Sequence, residues 1–258
     1  MKVNQLFSLV LVLSVVGISS AKAKSQIVEL PIARIFVPAR GFDDNDSVEA
    51  VVDGELPNAC YLLEKQSIKV DESSKVITVR QFAIRLGSGT CKEGSEPNSP
   101  EFITPIPFTE TISLGKLDSG DYKIAYYPKP ELQSLKAFLV GSSPVPNLDS
   151  LPYAMVTEVS VSDVVTLSKP IQVEIRGILN NSCYHLNEKI GIETIDNVTV
   201  VLPTVTIDRQ AACLMFTRPF TAGVTLPPIL SEGRYLVHVR SMNGKSLNRV
   251  YTVERAPL

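Results

Sequence analysis

The sequence predicts an all-β protein built from two tandem antiparallel β-sandwiches, each closed by its own disulfide. Three observations predict this fold class. A ten-residue phrase occurs twice, as GELPNACYLL at 54–63 and GILNNSCYHL at 177–186. The stretch before each copy alternates apolar and polar residues with a period of two, which is typical of a half-buried strand. The four cysteines form two pairs of nearly equal spacing, 31 and 30 residues.

The first 23 residues have the features of an export signal. Lys2 provides a positive start, an apolar run extends from Leu6 to Ile18, and Ala21-Lys22-Ala23 is a small-residue cleavage site. Because this run is shorter than the roughly 20 residues of a membrane-spanning helix, we expect cleavage after residue 23. The mature chain is expected to be periplasmic or secreted by a bacterium, with no membrane span.

The mature chain is long enough for two domains of about 110 residues each. We expect module 1 at 24–141, a linker at 142–152 and module 2 at 153–258. The linker sequence, SSPVPNLDSLP, has the proline and serine content of a partly stiffened connection between domains.

The charge balance excludes nucleic acid as a partner. Without Lys2 and Lys22 the chain has 23 basic and 27 acidic residues, and the acidic surplus falls in module 1. Neither module has the basic surplus that the neutralisation of phosphates requires.

Each module has a predicted strand that leads into the repeated phrase. VEAVVDGEL at 48–56 matches IQVEIRGIL at 171–179, with the apolar positions coinciding. Gly54 and Gly177 interrupt these runs, which predicts a bulge or the close approach of another group to the backbone.

The phrase is followed by a second cysteine and then by Pro-Phe, at 107–108 and at 219–220. Module 1 has about ten extra residues before Pro-Phe, in the polar and proline-rich stretch at 92–106, which predicts an elongated loop. Module 2 ends with two strands around Asn243-Gly244, the dipeptide of a type I′ hairpin turn.

Cysteines in an exported protein favour disulfides over metal ligands. Four cysteines allow three pairings, and the matched spacing favours Cys60 with Cys91 and Cys183 with Cys213. On the loop-entropy model each bridge would stabilise its module by about 3.7 kcal/mol.

The Leu-x-x-Gly-x-Tyr phrase near the end of each module resembles the tyrosine corner of immunoglobulin-like sandwiches. The matching residues are Tyr122 and Tyr235, and the resemblance implies that each hydroxyl bonds to backbone just upstream. The cysteines precede these tyrosines by more than 20 residues and the chain has no Trp, which differs from antibody domains. The predicted fold is therefore immunoglobulin-like in the broad sense.

The full pattern also resembles small β-sandwich modules of exported bacterial proteins. That pattern runs Gly-x-Leu-Pro-x-x-Cys, a second Cys, Pro-Phe and Leu-x-x-Gly-x-Tyr, and module 2 departs from it with Asn180 in place of Pro57. Such modules have no assigned activity, so the resemblance implies no catalytic or cofactor-binding residue.

Candidate catalytic and metal-binding residues are few. The chain has no Gly-x-Ser-x-Gly elbow and no glycine-rich phosphate loop of the required form. His185 and His238, with Glu188 or Glu193, make a metal-dependent hydrolase the weakest of three hypotheses. We expect the two histidines to be unrelated strand residues, and no metal or cofactor to bind.

Two further features could bind a ligand. The acidic turn at 43–46, with Glu49 nearby, offers oxygen ligands for calcium, although a solvated turn is the expectation. Sugars could stack on tyrosine rings, although packing within the sheets is expected for these side chains. The candidate tyrosines are Tyr61, Tyr126, Tyr127 and Tyr184.

The functional prediction is an exported, non-catalytic binding or structural protein of the cell envelope, acting through protein–protein interaction or scaffolding. The loop at 92–106 is the preferred contact, because loops carry function on such scaffolds. The alternative is a carbohydrate-binding module for peptidoglycan or polysaccharide. The partner is thus an unidentified protein or envelope polymer.

Overall fold

The computed structural model describes residues 25–87, 91, 103–129, 131–143, 149, 151–210 and 212–256. These residues form β-strands joined by turns and contain no α-helix, which confirms the all-β prediction. The predicted signal peptide and most of the predicted loop at 92–106 lie outside the described residues. No helix within the described ranges is long and apolar enough to span a membrane.

Module 1 has two facing sheets. Its strands are β1 (Gln26–Leu30), β2 (Ile32–Phe36), β3 (Phe42–Asp43), β4 (Val48–Leu56), β5 (Tyr61–Asp71), β6 (Val76–Arg85), β7 (Ile106–Gly115), β8 (Gly120–Lys129) and β9 (Leu132–Gly141). One sheet has the order β2-β4-β7, and the other has the order β1-β6-β8-β9-β3 with β5 on the opposite edge of β6.

The core of module 1 lies between these sheets. On β4 the alternating residues Val48, Ala50 and Val52 are buried, as the sequence pattern predicts, and they pack with Ile77 on β6 and Ile124 on β8. The two faces of the sandwich therefore meet through the apolar half of each alternating strand.

Module 2 has ten strands in the part of the chain that the structure describes, and several of them are short. They are β10 (Met155–Val161), β11 (Val164–Thr166), β12 (Ile171–Leu179), β13 (Tyr184–Leu186), β14 (Gly191–Ile195), β15 (Val198–Leu202), β16 (Val205–Ile207), β17 (Arg218–Leu226), β18 (Gly233–Ser241) and β19 (Lys245–Glu254). The sheets are β10-β12-β17, β11-β19-β18-β15-β14 and the small pair β13-β16. Ile175 on β12 and Val237 on β18 belong to the buried core between the two larger sheets.

The expectation of purely antiparallel sheets is wrong at two places in each module. Strands β6 and β8 pair in parallel, as do β15 and β18. Parallel pairing also joins β3 to β9 and β11 to β19. In module 1 the chain crosses to the facing sheet for β7 and returns beside β6 in the same direction. Alternation in the sequence identifies a strand, but it carries no information about the direction of the neighbouring strand.

The repeated glycine lies beneath the repeated phenylalanine. Gly54 is opposite Phe108 in the β4–β7 ladder, and Gly177 is opposite Phe220 in the β12–β17 ladder. A Cβ atom on Gly54 would lie 2.6 Å from the Phe108 ring, and one on Gly177 would lie 2.5 Å from the Phe220 ring. The predicted close approach is confirmed. Pro-Phe is repeated because in both modules the phenylalanine ring packs on the backbone of the glycine, where a side chain would leave no room.

The repeated Asn-x-Cys is a local turn. The side-chain oxygens of Asn58 and Asn181 accept the backbone N–H groups of Cys60 and Cys183, both at 2.9 Å. This bond orients each cysteine at the start of the following strand.

Both predicted disulfides are present. Cys60 is bonded to Cys91 and Cys183 to Cys213, with a Cα–Cα separation of 5.4 Å in each. Each bridge stays within one module.

Candidate functional site

The two modules are in direct contact through an apolar cluster. Phe36 and Val51 of module 1 are buried against Val198, Val200 and Leu236 of module 2. Val51 lies on the face of β4 that points away from its own core, so this strand is buried on both faces. Apolar burial of this kind is the main favourable term in association.

A buried ion pair joins the modules beside this cluster. The Arg240 guanidinium donates to the Asp46 carboxylate at 2.6 Å, and the two side chains are 2% and 0% exposed. The same guanidinium lies over the rings of Phe42 and Tyr153, at 5.5 and 5.3 Å from their centroids. The expectation that the turn at 43–46 is solvated is therefore wrong at Asp46, because module 2 covers it.

A second polar contact passes through Asn248. Its amide nitrogen donates to the Glu49 carboxylate at 3.0 Å, and its oxygen lies 2.8 Å from the His238 Nδ1. Since that oxygen can only accept, the histidine Nδ1 carries the proton. Burial, together with the nearby Arg240 charge, lowers the pKa of His238 to about 4, against the opposing effect of the Asn248 bond.

Asp53 marks the other side of the contact between the modules. Its carboxylate lies 3.0 Å from Arg234 of module 2 and 3.4 Å from Arg34 of its own module. Burial raises the pKa of Asp53, and the two guanidinium groups act in the opposite direction. At the periphery Lys136 and Asp196 form an ion pair at 2.7 Å.

A cleft of about 620 Å³ opens at this junction, which we call the junction cleft. Its size falls within the roughly 300–1,000 Å³ of typical ligand sites. Module 1 contributes Asn45 and Lys116, and the remaining wall comes from module 2 and the segment preceding it. These residues are Asp149, Leu151, Pro152, Tyr153, Asn180, Tyr184, Val205, Ile207, Arg209, Met242, Asn243 and Gly244.

One wall of the cleft is the predicted Asn-Gly turn. Asn243 and Gly244 have positive φ angles of 64° and 65°, as a type I′ turn requires. The two carboxylate oxygens of Asp149 accept their backbone N–H groups, each at 2.8 Å. The carbonyl of Gly244 accepts the N–H of Ser47 from module 1 at 3.2 Å, so this wall is tied to both modules.

Tyr184, at the start of β13, is another residue of the lining. Its carbonyl accepts the Arg218 guanidinium at 2.8 Å, and its ring packs beside a buried cluster that includes Leu179 and Val205. The side chain is half-buried, so one part of the ring remains open to the cleft. Tyr184 can therefore offer a stacking surface.

The other tyrosines predicted to bind sugar do not line this cleft. Tyr61 and Tyr126 pack against the core of module 1. Tyr127 lines a separate cavity of about 440 Å³ on module 1, beside the Arg80–Glu29 ion pair.

The two histidines lie in different sheets. His185 is exposed on β13 of the small pair β13-β16, whereas His238 is buried on β18. Among the described residues no group of three or more His, Cys, Asp or Glu side chains could hold a metal ion. The structure does not bring together the residues of the hydrolase hypothesis.

The two matching tyrosines differ in their hydroxyl contacts. The Tyr235 hydroxyl lies 3.0 Å from the Ser231 carbonyl, four residues upstream, and 2.6 Å from the Ser231 hydroxyl. The Tyr122 hydroxyl instead contacts Lys75 and Glu72, from the β5–β6 turn, at 2.9 and 3.0 Å. The bond to upstream backbone that the resemblance implies is thus found at Tyr235, while Tyr122 bonds side chains of a different turn.

Sequence reasoning missed the contact between the modules. The signal was present as apolar residues on faces predicted to be solvated, above all Val51 and Leu236. On β18 the residues between the core positions are Leu236, His238 and Arg240, and all are buried. A strand whose second face carries Leu, His and Arg can be an interface strand, but alternation alone does not distinguish this from a solvated face.

Comparison with known proteins covers module 2. Residues 173–253, about a third of the chain, match the model of a family described as the ORF11 beta-sandwich domain. The matched segment runs from within β12 to within β19 and agrees with the sandwich seen here. No curated protein and no solved structure matches the chain.

Proposed function

We propose that this protein is an exported, non-catalytic binding protein of the bacterial cell envelope, built from two immunoglobulin-like sandwiches. Its binding site is the junction cleft. The observation that carries this proposal is that the cleft wall is assembled from both modules, which a buried ion pair and an apolar cluster hold in contact. A preformed concave site of this size is the usual form of a small-ligand site, and one or two units of a polymer are ligands of that size.

Export is supported by the sequence of the first 23 residues and by the disulfides. Two bridges and no free cysteine among the described residues suit an oxidising compartment such as the periplasm. N-terminal sequencing of the protein from a bacterial host should find Lys24 as the first residue. A chain that begins at Met1 would contradict this part of the proposal.

The immunoglobulin-like character is supported by the two-layer arrangement and by the Tyr235 contact with Ser231. The parallel pairing of β15 with β18 distinguishes this sandwich from the standard strand arrangement. We therefore describe the relationship as one of architecture.

An envelope polymer is favoured over an extended peptide as the partner. The backbone around the cleft is already bonded, because Val205 N–H donates to the Pro152 carbonyl and Ala154 N–H to the Pro203 carbonyl, at 2.8 and 2.7 Å. An added peptide strand needs an open sheet edge, whereas a sugar is recognised by side chains and stacks on aromatic rings. Tyr184 provides such a ring in the cleft.

Co-sedimentation of residues 24–258 with peptidoglycan and with insoluble polysaccharide tests this function. We expect binding that Tyr184→Ala reduces and that Tyr127→Ala, a tyrosine in the separate cavity, leaves unchanged. Unfolding curves would verify that both variants remain folded. Equal loss in both variants, or none in either, would rule out the junction cleft.

A parallel measurement separates the protein-interaction alternative. If capture of envelope proteins is lost on deleting residues 92–104, while Tyr184→Ala has no effect on polymer or protein binding, the function belongs to the loop instead.

A further inference from the structure

Arg209 differs from the other arginines of this chain. Each of the others has a carboxylate, carbonyl or other partner. Among the described residues, no ion pair or hydrogen bond is found for the Arg209 guanidinium. This exposed side chain lines the junction cleft. A guanidinium has five donors in a planar fork that matches the two oxygens of a carboxylate or phosphate.

A second cation lines the same cleft from the other module. Lys116 follows β7 of module 1, is exposed, and has no ion pair within the part of the chain that the structure describes. Two cations from different modules, neither with an ion-pair partner among the described residues, thus line one concave surface.

The lining also has one acidic side chain, Asp149, so its three charged side chains sum to 2 − 1 = +1. Both Asp149 oxygens accept backbone N–H groups of the Asn243-Gly244 turn. The neighbouring Asp208 accepts the Gln210 N–H at 2.9 Å. Within the described residues neither carboxylate forms an ion pair with Arg209 or Lys116, so both cations keep their donors for a ligand.

We propose that the junction cleft selects saccharides that carry an oxyanion, with Arg209 and Lys116 binding the anionic group. This inference rests on the proposed function and names the ligand class of the same site. The Tyr184 ring stacks on the sugar, and the amides of Asn180 and Asn243 bond its hydroxyl groups. The Asn180 amide has Met242 Sδ as its described acceptor, at 3.4 Å, and thioether sulfur is a weak acceptor that a hydroxyl can replace.

Titration calorimetry with defined oligomers tests the inference. The probes are an oligogalacturonate, its fully methyl-esterified neutral form, a phosphorylated mannan oligomer and a hexaglutamate peptide. We expect one or both acidic saccharides to bind about 10- to 100-fold more tightly than the neutral ester, the usual range for a charged hydrogen bond. The affinities of the oligogalacturonate and of the phosphorylated mannan show whether the site prefers a carboxylate or a phosphate.

Charge-changing variants test which side chains bind the anionic group of the saccharide. Arg209→Glu should remove most of this preference, Arg209→Lys should keep part of it, and Lys116→Glu should reduce it. Lys169→Glu is the charge-matched control on the exposed β11–β12 turn of module 2, outside the cleft. Binding of the neutral ester should change little in all four, which shows that the fold is intact.

Three results would overturn the inference. Equal affinity for acidic and neutral oligomers, or binding of hexaglutamate in preference to the sugars, would each do so. No binding of any saccharide at millimolar concentration would also end it. If polymer co-sedimentation still depends on Tyr184 in such a case, the proposed function stands and only the anion selectivity fails.

Discussion

The two modules share their local constraints and differ at the faces where they meet. In both, a phenylalanine ring covers a glycine, an asparagine caps a cysteine and a disulfide closes a loop of about 30 residues. At matching positions of β8 and β18, however, module 1 has Ala125 and Tyr127 where module 2 has His238 and Arg240. The repeated phrase maintains the sandwich, whereas the unmatched residues determine how two sandwiches associate.

The largest expected effect on the free energy of unfolding comes from breaking the Asp46–Arg240 ion pair, which forms only where the two modules meet. Asp46→Ala leaves Arg240 buried without its carboxylate, and loss of one partner of a buried pair costs about 3–5 kcal/mol. Urea unfolding would measure this loss, and we expect the single transition of coupled modules to broaden or divide.

The repeat provides a matched control for this substitution. Lys169 occupies the position of module 2 that corresponds to Asp46, and it is exposed. Lys169→Ala should change the free energy of unfolding by less than about 0.5 kcal/mol. Equal losses in the two variants would show that the ion pair does not couple the modules.

Acidification should affect module 2 through a histidine that module 1 lacks. The pKa of His238 is about 4 in the folded state and 6.5 for a free side chain, so the unfolded chain takes up the proton first as the pH falls. The neutral His238 side chain therefore costs the folded state nothing above about pH 6.5. As the pH falls towards 4, the free energy of unfolding decreases, and the loss reaches about 3 kcal/mol.

Urea unfolding of wild type and His238→Gln at pH 7.5, 5.5 and 4.5 would measure this loss. The difference between the two proteins removes the contribution of the carboxylates. A parallel pH dependence in both would contradict the assignment to His238.

Replacing the repeated glycine by alanine should lower the free energy of unfolding by different amounts in the two modules. A Cβ on Gly177 would lie 2.2 Å from the Met155 carbonyl oxygen, which is backbone, whereas one on Gly54 lies 3.3 Å from the Pro31 carbonyl oxygen. A ring can move aside more easily than a backbone carbonyl. We expect Gly54→Ala to cost about 1 kcal/mol and Gly177→Ala about 3 kcal/mol, the two ends of the range for overpacking. Denaturant unfolding would measure both, and the reverse order would show that the Met155 segment yields.

The smallest expected change in the free energy of unfolding comes from removing the hydroxyl groups of Tyr235 and Tyr122. Tyr235→Phe removes the bond to the Ser231 carbonyl and should cost about 1 kcal/mol. Tyr122→Phe removes contacts with Lys75 and Glu72, whose side chains are 28% and 53% exposed, so water replaces the hydroxyl. We expect a cost below about 0.5 kcal/mol for Tyr122→Phe. Thermal unfolding would compare them, and equal costs would mean that the corner bond of module 2 adds no stability.

Much of the candidate site could not have been predicted from the sequence. Tyr184 was a candidate as a stacking residue, but Arg209, Lys116 and Asp149 lie far apart in the chain and no spacing relates them. Nothing in the turn at 43–46 indicates that Asp46 is buried, because its partner is almost 200 residues away. Such pairings depend on which outer faces meet, and one module's sequence does not contain that information.

By itself the sequence determined the repeated strands β4 and β12, the hairpin around the Asn-Gly turn, the two disulfides and the close approach at both glycines. Each depends on residues that are near in the chain or on a periodicity that a single strand displays. Only the tertiary structure decided the parallel pairs, the burial of Asp46 and His238, and the cleft between the modules. These arise when distant surfaces meet, and there the free energy depends on complementarity of shape and charge.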